Sequence, residues 1–198
     1  MKELWHFRLL AYYVLISTTL FNLSGCAAIL LGSVAIGTMA HDRRTAGTIM
    51  DDQTIEFKVH KALNHQLPPG NWIDTTSYNS KVLLTGTAAS ELIKQGAGSI
   101  VFNITPPVRE LYNELVVRSP KLSFSAQGLD SLLTAKVKAA LLKIRIQDFD
   151  PSRVKVVTEN RTVYLMGLIR KEEADAVVDI ASQISGIHRV VTLFENFN

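Results

Sequence analysis

Hydrophobic and polar positions follow two different periods along the C-terminal half of the chain. A first helical face is indicated by apolar residues spaced three or four apart, namely Leu133, Val137, Ala140, Leu141 and Ile144. Residues 153–158 and 162–166 are rich in β-branched residues and flank a tight turn at 159–161, which predicts a β-hairpin. A second helical pattern ends at Ser185-Gly186, and residues 187–197 follow as a third strand. The predicted order is helix, strand, strand, helix, strand.

The first half of the chain shows the same order in a less regular form. Its helices and strands are predicted at residues 52–64, 73–78, 81–85, 90–103 and 108–118. The second of these helices contains Gly96 and Gly98, each of which disfavours a helix by about 1 kcal/mol relative to alanine. Pro106-Pro107 stands where the other half has its terminating glycine. Residues 119–127 have no apolar period and are predicted to form a linker between the halves.

The two halves also match each other in sequence, at a separation of roughly 80 residues. The hairpins align through three identical pairs, Asn79 with Asn160, Val82 with Val163 and Gly86 with Gly167. The preceding helices align as well, with residues 58–63 over 136–141. Ser80 and Arg161 stand where a two-residue hairpin turn favours glycine, so each turn is expected to be mildly strained. The matching blocks indicate a tandem repeat of one small α+β unit.

The N-terminal residues have the pattern of a bacterial lipoprotein signal. Lys2 and Arg8 give a positive start, residues 9–23 are apolar but short for a bilayer span, and Ser24-Gly25 places small residues before the only cysteine. The Cys26 thiol would carry a diacylglyceryl group, and cleavage before Cys26 would leave a mature chain held by acyl chains, so Cys26 is the predicted lipid anchor. The next residue is alanine rather than the aspartate that would favour the inner membrane. The expected location is therefore the outer membrane, facing the periplasm.

Two alternatives remain open for this N-terminal region. The first is a plain signal peptide or membrane anchor in which Cys26 is incidental. The second is a membrane hairpin, because another apolar stretch covers residues 27–40. Gly32 and Gly37 within that stretch fit a flexible tether better, so residues 26–45 are predicted to be an acylated N-terminus and tether.

The composition excludes several classes of site. Removal of Lys2, Arg8 and Glu3 with the signal takes the 21 basic and 18 acidic residues to 19 and 17, which gives no strong field for nucleic acid. Acylation of the single cysteine would leave no thiol for a disulfide, a zinc site or a nucleophile. The histidines lack metal-ligand spacing, and the acidic run at 172–175 suits the positive end of a helix dipole. We therefore expect no enzyme activity, no cofactor, no metal and no nucleic-acid partner.

The repeat resembles the BON domain, an αββαβ module of bacterial envelope proteins. The resemblance rests on residues 79–86, on their copy at 160–167, and on Gly186-Ile187 with Val190 after the second helix. It implies an α+β fold of two tandem domains, each with a three-stranded mixed sheet packed against two helices. The predicted segments are a signal peptide at 1–25, an acylated tether at 26–45, a first domain at 46–118, a linker at 119–127 and a second domain at 128–198.

Taken with Cys26, the two domains resemble those of outer-membrane lipoproteins that contain two BON domains. Residues 41–48 also resemble the tether of such a protein. The resemblance implies a non-enzymatic protein that binds anionic phospholipids through the first helix of its second domain, supports outer-membrane integrity and gathers at division sites. We expect a monomer whose partners are anionic phospholipids of the membrane surface, with outer-membrane assembly proteins as further candidates.

The residues of that helix offer a membrane contact of their own. Beside the core face lies a stripe of apolar side chains and lysines, formed by Leu132, Lys136, Ala139, Leu142 and Lys143. In such a stripe the apolar atoms enter the acyl boundary, while each lysine gains about 1 kcal/mol from an anionic surface. Residues 121–145 contain five basic residues and one acidic residue, whereas residues 52–118 balance six against six. Without the resemblance, a solvated helix face with one exposed leucine would be the preferred explanation.

A protein-interaction adaptor is the alternative function. Small sheets have open edges that accept another strand, and exposed helix faces bind partner proteins. In that case the protein would serve an envelope assembly machine, and any lipid contact would be incidental. Lipid binding remains the leading hypothesis because of the resemblance.

Overall fold

The structure is a computed structural model that describes residues 42–118 and 124–197. The predicted signal peptide, the anchor Cys26 and most of the tether lie outside the described residues. Within them, Arg43–Asn198 forms one compact unit. No helix in the two described ranges is long and apolar enough to cross a bilayer.

The first domain contains two helices and four strands. They are α1 (Ala46–Gln66), β1 (Trp72–Tyr78), β2 (Lys81–Ala88), α2 (Glu91–Phe102), β3 (Glu110–Asn113) and β4 (Val116–Val117). Strand β1 runs antiparallel to β2, while β3 and β4 both run parallel to β2. The third strand predicted at 108–118 is thus split in two. The break falls where the backbone N–H of Leu115 turns to the side-chain oxygen of Asn113 at 3.4 Å and the Leu115 side chain enters the core.

The second domain contains two helices and a three-stranded sheet. Its elements are α3 (Phe124–Leu141), a 3-10 turn (Pro151–Arg153), β5 (Val154–Glu159), β6 (Thr162–Ile169), α4 (Lys171–Ser182) and β7 (Arg189–Asn196). Strand β5 runs antiparallel to β6, and β7 runs parallel to β6. The predicted α+β fold with mixed sheets is therefore confirmed, although the split third strand gives the first sheet a fourth strand.

Both first helices begin earlier than the apolar period indicates. Helix α1 starts at Ala46 rather than at residue 52, because the Thr45 hydroxyl accepts a hydrogen bond from the Thr48 backbone N–H at 3.1 Å and caps the helix. Helix α3 starts at Phe124, inside the segment predicted to be a linker. Both helices therefore extend beyond the residues that pack on the sheets, and in α1 the Thr45 cap accounts for the extension.

The two hairpin turns have the left-handed backbone expected for residues that follow the type I′ pattern. The φ angles are 52° at Asn79, 60° at Ser80, 49° at Asn160 and 59° at Arg161. Four non-glycine residues therefore occupy the region that favours glycine. Because such residues are strained by themselves, contacts from elsewhere in each domain must hold the turns in place.

The two glycines of the repeated hairpin motif allow the strands to approach closely. A Cβ atom at Gly86 would lie 2.1 Å from the Trp72 carbonyl oxygen, and one at Gly167 would lie 2.9 Å from the Arg153 carbonyl oxygen. Gly98 has a related role in the helix, since a Cβ there would lie 3.4 Å from the Leu111 side chain. Helix α2 thus runs through Gly96 and Gly98 and packs tightly on β3.

Each sheet packs its helices on one face and the other sheet on the opposite face. The first helical core centres on Ile55, Val59, Val82, Leu84 and Val101, and the second on Val137, Leu141, Val163, Leu165 and Val177. A third cluster joins the two sheets through Tyr78, Leu83, Tyr164, Met166 and Leu193. The central strands β2 and β6 are therefore buried on both faces. The two domains meet sheet against sheet.

Candidate functional site

The five residues predicted to bind lipid all lie on the surface of the second domain. Leu132 is 51% exposed and Leu142 is 64% exposed. Lys136, Ala139 and Lys143 are exposed as well. On the opposite side of the same helix, α3 buries an apolar face against the sheet, made of Leu133, Val137 and Leu141. An exposed leucine is common on its own, so the pattern around it matters more.

That pattern is an unbroken apolar strip on the solvent side of α3, which we call the outer arc. With about 100° of rotation per residue, the positions opposite the core face are Gly128, Leu132, Ala135 and Ala139 of α3, continued by Leu142 in the turn directly after the helix, where Lys143 also lies. All five positions are exposed, and none carries a polar side chain. Lys136 and Lys143 flank the outer arc on one side, and Lys138 flanks it on the other. Gly128 and Ala135 complete the strip that the sequence prediction described only in part.

The exposed surface of α3 carries no negative charge. Asp130 is the only carboxylate between residues 124 and 141, and its side chain turns inward, where the residue is 8% exposed. Its two oxygens accept hydrogen bonds from the backbone N–H groups of Asn160 at 2.8 Å and Arg161 at 2.9 Å. The carboxylate therefore serves the hairpin turn and leaves the lysines around the outer arc unopposed.

Asp52 has the same structural role in the first domain. It accepts hydrogen bonds from the backbone N–H groups of Asn79 at 2.7 Å and Ser80 at 2.8 Å, and from the Ser77 hydroxyl at 2.7 Å. The sequence prediction missed both aspartates. The internal repeat contained the signal, since the register that aligns the two first helices also places Asp52 over Asp130. These carboxylates explain how non-glycine residues hold a left-handed turn.

Helix α1 has a different surface at the positions that correspond to the outer arc. The equivalent residues are Met50, Thr54, Phe57, Lys61 and Asn64. Met50 is 63% exposed and Phe57 is 68% exposed, but polar residues interrupt the strip. Glu56 on the same helix accepts hydrogen bonds from the Ser77 backbone N–H at 2.8 Å and from the Lys155 ammonium at 2.6 Å. Of these two first helices, as far as the structure describes them, α3 has the continuous apolar and basic face and α1 does not.

A polar cleft of about 250 Å³ lies where the broken strand of the first domain meets the second hairpin. Inside it, Glu114 accepts hydrogen bonds from Arg189 at 3.0 Å and from the Tyr164 hydroxyl at 3.3 Å. Burial raises the pKa of the neighbouring Glu159 carboxyl, and the charges of Asp130 and Asp74 raise it further. Glu114, Arg189 and Tyr164 are thus hydrogen-bonded to one another. Within the described ranges, no three His, Cys, Asp or Glu residues are grouped to hold a metal ion.

Comparison with known proteins gives related sequences over most of the chain. The BON domain model matches residues 51–119 and 129–195. Outer membrane lipoprotein DolP of Haemophilus influenzae is 39% identical over 186 residues, which cover 92% of this chain and 93% of that protein. The 21 kDa hemolysin of Actinobacillus pleuropneumoniae is 32% identical over 152 residues, or 76% of each chain.

A more distant likeness exists among solved structures. CdsD, a structural protein of the type III secretion system of Chlamydia trachomatis, is 14% identical and covers 73% of this chain, while 91% of its own chain is covered. The TM-score is 0.30, which is too low to carry an argument. The sequence relatives and the family match are the informative comparisons.

Proposed function

Because this chain belongs to the BON domain family and is a lipid-anchored outer-membrane lipoprotein similar to DolP, we propose that its second domain binds anionic phospholipid through α3. The contact residues are Leu132, Lys136, Ala139, Leu142 and Lys143. They engage the leaflet that holds the acyl chains of Cys26. The bound protein supports outer-membrane integrity, and it gathers at division sites.

The outer arc of α3 is the observation that carries this proposal. Its apolar side chains suit the boundary between headgroups and acyl chains, and the lysines on both sides suit anionic headgroups. Each lysine near an anionic surface contributes about 1 kcal/mol. A helix with two exposed leucines and three flanking lysines binds weakly alone. The anchor raises its effective concentration at the membrane, so the two contacts reinforce each other.

Vesicle binding by residues 42–198 tests the lipid contact. We expect the protein to co-sediment with vesicles that contain anionic phospholipid and not with vesicles made of zwitterionic phospholipid alone. The double variant Leu132→Glu, Lys136→Glu reverses one charge and removes one apolar contact, so its affinity should fall by about tenfold or more. The matched control is Phe57→Glu, Lys61→Glu, which makes the same kinds of change at the same spacing on the exposed face of α1 and should bind like the parent protein. Equal binding by the α3 variant and the parent would remove this site.

The cellular role has its own test. Cells that lack the protein should admit detergents or large antibiotics more readily, and a fluorescent fusion should concentrate at the septum. The α3 variant, expressed at the normal level and still acylated, should restore neither property. Full restoration by that variant would separate membrane integrity from lipid binding by α3.

A protein-interaction adaptor is the second candidate function, and one observation favours it. Met50 and Phe57 are large, exposed apolar residues on the same side of α1. Photo-crosslinking from position 57 in cells should then trap one specific envelope protein. Loss of that adduct in Phe57→Glu, with vesicle binding intact, would support the adaptor. Absence of any specific adduct would leave lipid binding as the single function.

A further inference from the structure

Two consecutive arginines at the end of the tether are buried against opposite domains. Arg43 forms a two-pronged ion pair with Glu173 at the start of α4, with Nη1 2.6 Å from Oε2 and Nη2 2.8 Å from Oε1. Its Nη1 also donates to the Leu168 carbonyl oxygen at 3.3 Å, and its guanidinium lies 4.5 Å from the centre of the Phe197 ring. Every one of these contacts is with the second domain.

The partner of Arg43 is an internal part of the second domain. The Glu173 side chain is fully buried, and the Arg43 side chain is only 8% exposed. Glu173 also accepts a hydrogen bond from the Arg170 backbone N–H at 2.7 Å, so it fixes the first turn of α4. Burial opposes its ionisation, but the hydrogen bonds from Arg43 and from the Arg170 backbone outweigh burial and hold its pKa below the usual range. The carboxylate is therefore charged and is neutralised by the tether.

Arg44 makes the corresponding contact with the first domain. Its Nη1 lies 2.7 Å from Oδ2 of Asp52, the carboxylate that also holds the first hairpin turn. Its guanidinium stacks 3.7 Å from the centre of the Tyr78 ring. The Tyr78 hydroxyl in turn donates to the Arg153 carbonyl oxygen at 3.1 Å and accepts from the Leu168 backbone N–H at 3.2 Å. Arg44 thus lies on the side chain that connects the two domains.

Only the N-cap residue separates Arg44 from α1. Thr45 follows Arg44 directly and is already the N-cap of α1. The side chains of Arg43 and Arg44, which we call the arginine pair, therefore point to different domains from adjacent positions. A flexible tether that simply ended at α1 would need neither contact, and it would leave Glu173 buried without a counter-charge.

We propose that the arginine pair consists of positioning residues that fasten the end of the lipid tether to both domains at once, so that α3 meets the leaflet in one fixed orientation. This inference rests on the proposed lipid contact of α3. The anchored chain then leads into the junction of the domains and not into the first domain alone. Each side chain engages a carboxylate with a second structural role, so undocking the tether also disturbs a hairpin turn or a helix start.

The test uses the full-length acylated protein in membranes that contain anionic phospholipid. Acylation of the single cysteine leaves no free thiol, so labels attach only at introduced cysteines. One pair of spin labels at Asp42→Cys and Ser182→Cys measures the distance between the residue before the arginine pair and α4. A separate environment-sensitive fluorophore at Ala139→Cys reports whether the outer arc enters the acyl boundary.

Both measurements compare the parent with Arg43→Gln, Arg44→Gln and with Lys171→Gln as the control. Lys171 forms an exposed ion pair with Asp175 on α4 and touches neither arginine. We expect a narrow distance distribution and a buried fluorophore in the parent and in the control. In the double variant the distribution should broaden, and the fraction of buried fluorophore should fall several-fold. The soluble fragment 42–198 with the same double substitution should keep its vesicle affinity, which separates positioning from loss of the binding face.

The outcomes separate this inference from the proposed function. A broad distance distribution in the parent would overturn docking of the tether. A distribution that broadens in the double variant while the fluorophore stays buried would overturn the positioning role. A fluorophore that remains in water in the parent would overturn both the lipid contact and the positioning that depends on it. Vesicle affinity of the soluble double variant that falls as far as that of Leu132→Glu, Lys136→Glu would also count against positioning.

Discussion

Helices α1 and α3 occupy the same place in the two repeats, but their exposed faces differ: polar residues interrupt the apolar strip on α1 and not on α3. Both use an inward aspartate to hold a hairpin turn, Asp52 in α1 and Asp130 in α3. Helix α1 also takes part in contacts between segments, because Asp52 pairs with Arg44 and Glu56 pairs with Lys155. In α3, the single carboxylate serves only the turn and one face is left apolar and basic.

The two repeats therefore share a structural contact but differ in their exposed helix faces. The structural device is kept in both copies, because the left-handed turn would be strained without the carboxylate. The exposed face is free to change, since it does not affect the core. The residues before α1 contact both domains through Arg43 and Arg44, whereas only the exposed face of α3 has the apolar and basic surface for which we propose the lipid contact.

Loss of the turn-holding aspartate should cost more in the first domain than in the second. Asp52→Ala leaves two turn N–H groups without their acceptor and also removes the ion pair with Arg44, whose side chain is 12% exposed. We expect a loss of about 3–5 kcal/mol in the free energy of unfolding. Asp130→Ala removes the turn contacts alone, for a loss of about 2–3 kcal/mol. Urea unfolding of both variants measures this, and an equal or larger loss for Asp130→Ala would show that the arginine contact adds nothing.

Acid should weaken the start of α4 and not the start of α2. Helix α4 depends on Glu173, whereas the Ser90 hydroxyl caps α2 by accepting from the Ile93 backbone N–H at 3.3 Å. Because the pKa of Glu173 is lower in the folded state, its stabilisation is complete above the ordinary glutamate pKa of about 4.3 and is lost as pH falls below it.

The corresponding measurement is the free energy of unfolding against pH for the parent and for Glu173→Gln. The parent should lose stability more steeply between about pH 5 and pH 3, since only the parent must protonate this buried carboxyl. Hydrogen exchange should show α4 opening before α2 in the parent. Parallel stability curves for the two proteins would contradict the assignment.

Glycine in the hairpin turns should help the first domain more than the second. Ser80→Gly relieves a left-handed residue at φ 60° and should stabilise the protein by about 0.5 kcal/mol. Arg161→Gly relieves the same strain but removes a contact of 3.3 Å between the guanidinium and the His188 ring. Its gain in melting temperature should be smaller. Destabilisation by Ser80→Gly would mean that the Asp52 contacts already remove the strain.

The position before the turn asparagine distinguishes the repeats most subtly. Tyr78 there joins the domains, whereas Glu159 is a half-buried carboxylate whose pKa is raised by burial and then by Asp130 and Asp74. A raised pKa means that ionisation of Glu159 costs stability as pH rises through it. Glu159→Gln should therefore raise stability at neutral pH by up to about 0.5 kcal/mol after solvent screening is allowed for. The gain should disappear in acid, and a gain that persists there would have another cause.

The hairpins, helices and domain class were predictable because their signals are local. Turn residues such as Asn79 and Asn160 sit between β-rich segments, and the helical periods are contained within single elements. The break at Leu115 was not predictable, since it depends on a side chain turning into a distant core. The start of α3 at Phe124 was missed for a related reason, because its first turn has no apolar period.

Contacts between the domains needed the structure. Strands β2 and β6 are buried on both faces, and their continuous apolar runs were the available sign that a second sheet covers them. Arg43 and Glu173 are 130 residues apart, so no local pattern connects them. On α3, the sequence indicated Leu132 and the lysines. The structure added that Gly128 and Ala135 are exposed as well and complete the apolar strip.

The proposed function requires that α3, and not α1, contacts anionic lipid. A residue-by-residue nuclear magnetic resonance map of residues 42–198 with anionic and with zwitterionic lipid would locate the contact. We predict perturbations at the outer arc and its flanking lysines with anionic lipid only, and none along the exposed face of α1. Perturbations centred on Met50 and Phe57, or equal perturbations with both lipids, would contradict the account.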